Sequence, residues 1–197
     1  MIPPTAPGLR IGLLGGSFNP PHLGHLHVAR TALARLGLDR LWVLVTPGNP
    51  LKDPADLATL GRRLAATRRL LEDPRIVVTA LEAGFGSPYT WRTVERLALR
   101  APAVRFVWVM GADNLAGFHR WQYWRRIAKT VPIAVVDRPA ASLAPLHAPA
   151  AQSLADFRLA EVDAPILARR VPPAWVFLHG PRVALSSSEL RRRGLTA

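Results

Sequence analysis

The sequence predicts an open α/β fold, a doubly wound parallel sheet with helices on both faces in a single domain. Three observations carry that expectation. Short apolar runs of strand length alternate with longer stretches of helical period along the chain. The runs are apolar at successive positions, as strands buried on both faces require. Six such runs are present, too few for the eight repeats of a closed barrel.

In order, residues 1–9 are proline-rich and read as an N-terminal tail, without the charged-then-apolar order of a secretory signal. Ile11–Leu14 is the first strand, followed by a helix from about Leu23 to Leu36. Arg40–Thr46 (RLWVLVT) is the second, followed by a Pro/Gly loop and a helix around Leu57–Leu71. In that helix Leu57, Leu60, Leu64 and Leu71 share one stripe, Arg62, Arg63 and Arg69 lie away from it, and Arg68 sits near its edge. Ile76–Thr79 leads through a Gly/Pro loop to a helix near Trp91–Arg100. Val104–Met110 (VRFVWVM) precedes a helical region containing Trp121 to Ile127, and Ile133–Val136 and Ala174–Leu178 are the last strands. Pro139–Ser153 is Ala/Pro-rich without periodicity and reads as a flexible loop. There is no internal repeat and no domain linker, so residues 1–197 read as one unit.

Composition narrows the function. The 197 residues are 49% hydrophobic, enough to build a core, which excludes intrinsic disorder. The absence of cysteine excludes disulfides, thiolate metal sites and cysteine nucleophiles. No apolar run is long enough to span a bilayer, so a cytoplasmic protein without membrane contact is expected. The net charge is +13, and only Lys52 and Lys129 are lysines, so the positive charge is almost all guanidinium. Such a surface attracts phosphate groups but does not name their carrier, and an arginine-rich composition on a solvated face accounts for it equally well.

In open α/β sheets ligands bind beyond the carboxyl ends of the strands, so the loops there carry the chemistry. After the first strand comes Gly15-Gly16-Ser17-Phe18-Asn19-Pro20-Pro21-His22-Leu23-Gly24-His25. Paired glycines let the backbone approach a ligand, and the helix start offers N–H groups and a positive dipole end to a phosphate. His22 and His25, three apart, share a face and can donate to charge developing on a phosphoryl group. His27 points elsewhere and reads as structural or solvated. Neither GxxxxGK[ST] nor GxGxxG fits this segment, and no third zinc ligand accompanies the two histidines. At the far end Ser186-Ser187-Ser188-Glu189-Leu190-Arg191 is either a helix cap or a phosphate-binding turn with a guanidinium one turn on.

GGSFNPPHLGH together with SSSELR resembles the HxGH nucleotidyltransferase superfamily, with its GGxFxPxHxGH opening and SSTxIR-like close. Gly111-Ala112-Asp113-Asn114-Leu115 with Phe118, Trp121, Trp124 and Ile127 is similar to the GADxLxxFxxWxxWxxI segment of the bacterial nicotinate-nucleotide adenylyltransferases. Pro88-Tyr89-Thr90 with Thr93 resembles that family's SYTxxT, and Asn49-Pro50-Leu51-Lys52 its basic loop. The matches run in order from Ile11 to Arg191. The resemblance implies a Rossmann-like fold and direct adenylyl transfer from ATP to nicotinate mononucleotide, with Mg²⁺ carried by the ATP phosphates. It implies that Gly15, Gly16, Ser17, Phe18, His22, His25, Gly111, Asp113, Ser186, Ser187 and Arg191 meet ATP. His22, His25, Lys52 and Arg191 would carry the catalysis, with His25 stabilising the transition state. Asn49, Lys52, Tyr89, Thr90, Trp121 and Arg138 would hold the mononucleotide, Trp121 stacking on the pyridine ring. No protein metal ligands are implied.

Several positions depart from the family pattern. Asn19 replaces a frequent Asp, Leu51 a frequent His, Arg92 the usual Asp and Ser188 a Thr, and the chain ends soon after Arg193. Arg92 could favour an acidic pyridine or point to solvent. Without the resemblance, Trp121 and Trp124 read equally as core, Tyr89–Thr90 as a capping turn and Asp113 as a helix N-cap. A nicotinamide-accepting or dual-specific enzyme is the near alternative, and a basic nucleic-acid-binding protein the distant one, resting on arginine pairs such as Arg125-Arg126. A homo-oligomer is compatible with the sequence, which sets no copy number.

Overall fold

The computed structural model describes residues 2–48, 57–137 and 144–180. Seven strands form one sheet: β1 (Arg10–Gly16), β2 (Arg40–Val45), β3 (Ile76–Thr79), β4 (Arg105–Gly111), β5 (Ile133–Val136), β6 (Arg158–Leu159) and β7 (Trp175–Leu178). Their order is β3-β2-β1-β4-β5-β7-β6, and every neighbouring pair is parallel. The helices are α1 (Leu23–Arg35), α2 (Leu60–Leu70), α3 (Thr90–Arg100), α4 (Ala112–Gly117), α5 (Trp124–Thr130) and α6 (Pro149–Ser153).

The unbroken apolar runs have a direct cause. Side chains alternate across a strand, and here both faces meet a core. Leu13, Trp42, Leu44, Trp108, Met110, Val135 and Phe177 join one core with α3 and α5. Leu14, Val43, Val45, Val107, Val109, Val136 and Val176 join the other with α1. From β1 the chain moves outward through β2 and β3, then returns to β4 on the other side of β1. The loops leaving β1 and β4 therefore diverge and open a crevice at their carboxyl ends, the topological switch point.

Four local expectations need correction. Arg63 does not lie on the solvated face of α2: it is 2% exposed, and the buried residues of that helix are Arg63, Ala66 and Thr67. The buried stripe is rotated because Leu60 and Leu64 only flank the core. Trp121 is not helical. A 3-10 turn over Phe118–Arg120 ends at its extended backbone, and Tyr123, at φ +52°, restarts the chain as α5. Pro139–Ser153 is not one irregular loop, since 144–147 form a 3-10 turn and Pro149 opens α6, whose Ala150 and Ala151 are buried. A proline at the first helical position suits a helix start, but five residues are too few to show a period. The two-residue strand β6 and the 3-10 segment Glu161–Arg169 were likewise too short or irregular to stand out. The N-terminal stretch lies on the body of the protein, with Ile2 and Leu9 packed on the core and Gly8 N–H donating to Ala103 O at 2.8 Å. Among the described residues no helix is long and apolar enough to cross a membrane.

Candidate functional site

At the mouth of β1 the two histidines close a reciprocal cap on α1. His22 is the N-cap, and its Nδ1 accepts the Gly24 N–H at 3.0 Å. His25 Nδ1 accepts the His22 N–H at 3.2 Å. An imidazole accepting at Nδ1 carries its proton at Nε2 when neutral, so the cap assigns one tautomer to both rings. The rings lie 3.9 Å apart, and His25 also meets the Phe18 ring at 4.6 Å. His22 is buried and His25 half-buried, so the pair is held firmly where the crevice opens.

The turn before it is shaped by aromatic rings. A Cβ on Gly15 would stand 2.6 Å from Trp108 Cη2, so only glycine fits over that indole. Phe18 takes a left-handed backbone at φ +48°, costly for a non-glycine residue, and its ring is 1% exposed beside Gly16. Burial of the ring offsets that cost. Trp108 meets Trp121 edge to face at 6.2 Å, and Trp121 packs against Phe118 at 5.4 Å. Trp121 stays half-buried against the core while Trp124 is buried within it.

A second junction brings α3 to the Trp121 turn. Thr90 is the first residue of α3, and its N-cap Tyr89 makes no side-chain cap. Trp91 Nε1–H donates to Gln122 Oε1 at 3.0 Å, and the Trp91 and Tyr123 rings meet at 5.2 Å. Arg126 pairs with Glu95 and covers the Trp91 ring, which Arg92 also approaches, its guanidinium 5.1 Å from the centroid. Asp113 is exposed in the first turn of α4, whose N-cap is Gly111, so the capping reading of Asp113 is set aside.

Under α3, Glu82 is 4% exposed and accepts from Thr93 Oγ1 at 3.1 Å, with the Thr46 side chain as a further hydrogen-bonding neighbour. Burial pushes its carboxyl up to about 7, against those hydrogen bonds. Neither Glu82 nor Trp108 and Gln122 stood out in the sequence. A single Glu after a strand and a Trp within one carry no periodic signal.

Asn49, Lys52, Arg138, Ser186, Ser187 and Arg191 lie outside the described residues. The structure therefore groups Gly15–Phe18 with His22 and His25, links Gly15 to Trp121 through Trp108, and brings the start of α3 to the Trp121 turn through Trp91. Asn19 Oδ1 accepts the Ala58 N–H at 3.1 Å, a contact an amide makes as well as a carboxylate. Among the described residues no three His, Asp or Glu side chains are placed to hold a metal ion. An ion arriving with a polyphosphate would take its oxygens from that ligand.

A family model described as cytidylyltransferase-like matches residues 13–193. A relative from Brucella suis biovar 1, named "Probable nicotinate-nucleotide adenylyltransferase", is 58% identical over 184 residues, 93% of this chain and 95% of the relative. One of the same name from Methylorubrum extorquens is 59% identical over 185 residues, 94% of this chain and all of the relative. The structure of Plasmodium falciparum nicotinic acid mononucleotide adenylyltransferase complexed with NaAD superposes with a TM-score of 0.69 at 16% identity, covering 93% of this chain and 83% of that one. That likeness establishes the fold.

Proposed function

The chain belongs to the cytidylyltransferase-like family, and on that footing we propose that it transfers the adenylyl group of ATP to nicotinate mononucleotide. The products are nicotinate adenine dinucleotide and pyrophosphate, in the synthesis of NAD. A phosphate oxygen of the mononucleotide attacks the α-phosphorus of ATP in line. The bond to the β-bridging oxygen breaks, and pyrophosphate leaves with the electron pair. ATP enters as its Mg²⁺ complex, the ion offsetting phosphate charge. The proposed place of the reaction is the cytoplasm.

The reciprocal histidine cap is the observation that carries this reading. It holds two Nε2–H donors beside a helix N-terminus at the switch point, a set suited to charge growing on a leaving polyphosphate. The chemistry needs positioning and charge neutralisation rather than a nucleophilic side chain. Gly15, Gly16 and Ser17 bring backbone to the triphosphate, with Lys52, Ser186, Ser187 and Arg191 as its further partners. The start of α3 at Thr90, without a side-chain cap, suits the pyridine carboxylate, and the half-buried Trp121 offers a ring face.

Pyrophosphate release from ATP and Mg²⁺, compared between nicotinate and nicotinamide mononucleotide, tests the proposal. Turnover with the nicotinate form alone is expected. Equal turnover with both would retain the chemistry and overturn the acid preference. No turnover with either, from folded protein, would overturn the function.

A further inference from the structure

Arg63 is a buried cation with no carboxylate partner among the described residues, at 2% exposure. Its Nη1 donates to Ser17 O at 2.7 Å and to Thr46 O at 2.7 Å. Its Nε donates to Ala58 O at 2.8 Å and its Nη2 to Pro47 O at 3.3 Å. Burial lowers its pKa, the sign of a charge held away from water. An apolar side chain of similar length would fill the same space without that desolvation cost. What the guanidinium adds is direction: a planar fork that gathers carbonyls from two strand exits and from the segment entering α2.

We infer that Arg63 is a positioning residue, which holds the Ser17 exit of the glycine turn at a set distance from the Thr46–Pro47 exit of β2. The Ala58 peptide closes the link, since its N–H reaches Asn19 Oδ1 and its carbonyl reaches Arg63. Thr67 Oγ1 donates to the Arg63 carbonyl at 2.7 Å and ties that turn of α2 into the same set. The inference rests on the reading of Gly15–His25 as the triphosphate site. Arg63 gives its hydrogen bonds to backbone carbonyls. It acts through the backbone that presents Ser17 and Phe18.

The test uses full-length Arg63→Lys and Arg63→Met, read by backbone amide hydrogen exchange and by steady-state kinetics below their melting temperatures. Lysine keeps the charge but loses the fork. Both variants should exchange faster at 17–19 and at Thr46 and Gly48, with β4 and β5 unchanged. Per folded molecule, kcat/KM for ATP should fall about 100-fold, the scale of a misplaced binding group. Exchange unchanged in those two segments, or kcat/KM within about twofold of the parent, would overturn the inference and leave Arg63 a packing residue. If neither variant folds, the unaltered protein decides: on adding a non-hydrolysable ATP analogue, the Arg63 Nε–H and the 17–19 amides must gain protection together, and protection of one alone overturns it. A parent protein without adenylyl transfer would remove the function proposed above while the exchange comparison still judges Arg63.

Discussion

His25 Nδ1 accepts the backbone N–H of His22 at 3.2 Å, with the two rings 3.9 Å apart, so the second histidine holds the backbone of the first. On the proposed function, phosphate binding and helix capping are joined in one pair of side chains. His25→Ala removes both, and His25→Asn restores an acceptor at the helix start without a ring donor. The alanine variant should lose about 1 kcal/mol of stability, which asparagine recovers in part. Both should lose about 100-fold or more in kcat. Melting curves and initial rates on the three proteins check this, and recovery of rate along with stability in the asparagine variant would sink it.

The buried Glu82 carboxyl makes stability depend on pH. Its folded pKa of about 7 lies above the ordinary 4.5, so the folded protein keeps a proton that the unfolded chain releases. Stability therefore falls as pH rises from about 4.5 to about 7, by about 3 kcal/mol in all. Glu82→Gln should abolish that slope and be the more stable protein at pH 8. Urea unfolding at pH 5 and pH 8 decides, since parallel losses in both proteins would refute the assignment.

Gly15→Ala tests the close approach to the indole. The new methyl would meet Trp108 Cη2 at 2.6 Å, and Trp108 is 1% exposed with no room to retreat. A cost of about 1–3 kcal/mol is expected, with reduced turnover because Trp121 leans on the same ring. Unchanged melting and turnover would show that the sheet yields there at no cost.

Trp91→Phe keeps an aromatic ring beside Tyr123 and removes the N–H given to Gln122. Loss of that bond loosens the junction between the start of α3 and the Trp121 turn by about 1 kcal/mol. The KM for nicotinate mononucleotide should rise by about five- to tenfold while that for ATP stays near the parent value. Equal rises for both nucleotides would mean that the junction serves the whole site.

The sequence by itself determined six of the seven strand sites, the parallel α/β class and the shared face of His22 and His25. Apolar runs and an i, i+3 spacing are local quantities, legible without a partner. Tertiary structure decided the rest. Arg63 is buried because carbonyls 46 and 17 residues away, at Ser17 and Thr46, converge on α2, and no helical period contains that information. Trp121 leaves the helix because Tyr123 turns left-handed, which frees its ring to rest on Trp108 from β4. Glu82 holds its proton because the folded chain buries it away from water, which outweighs the hydrogen bonds from Thr93 and Thr46 that favour the charged form. Burial and hydrogen-bond partners are properties of segments that meet, and the meeting is set by the whole sheet.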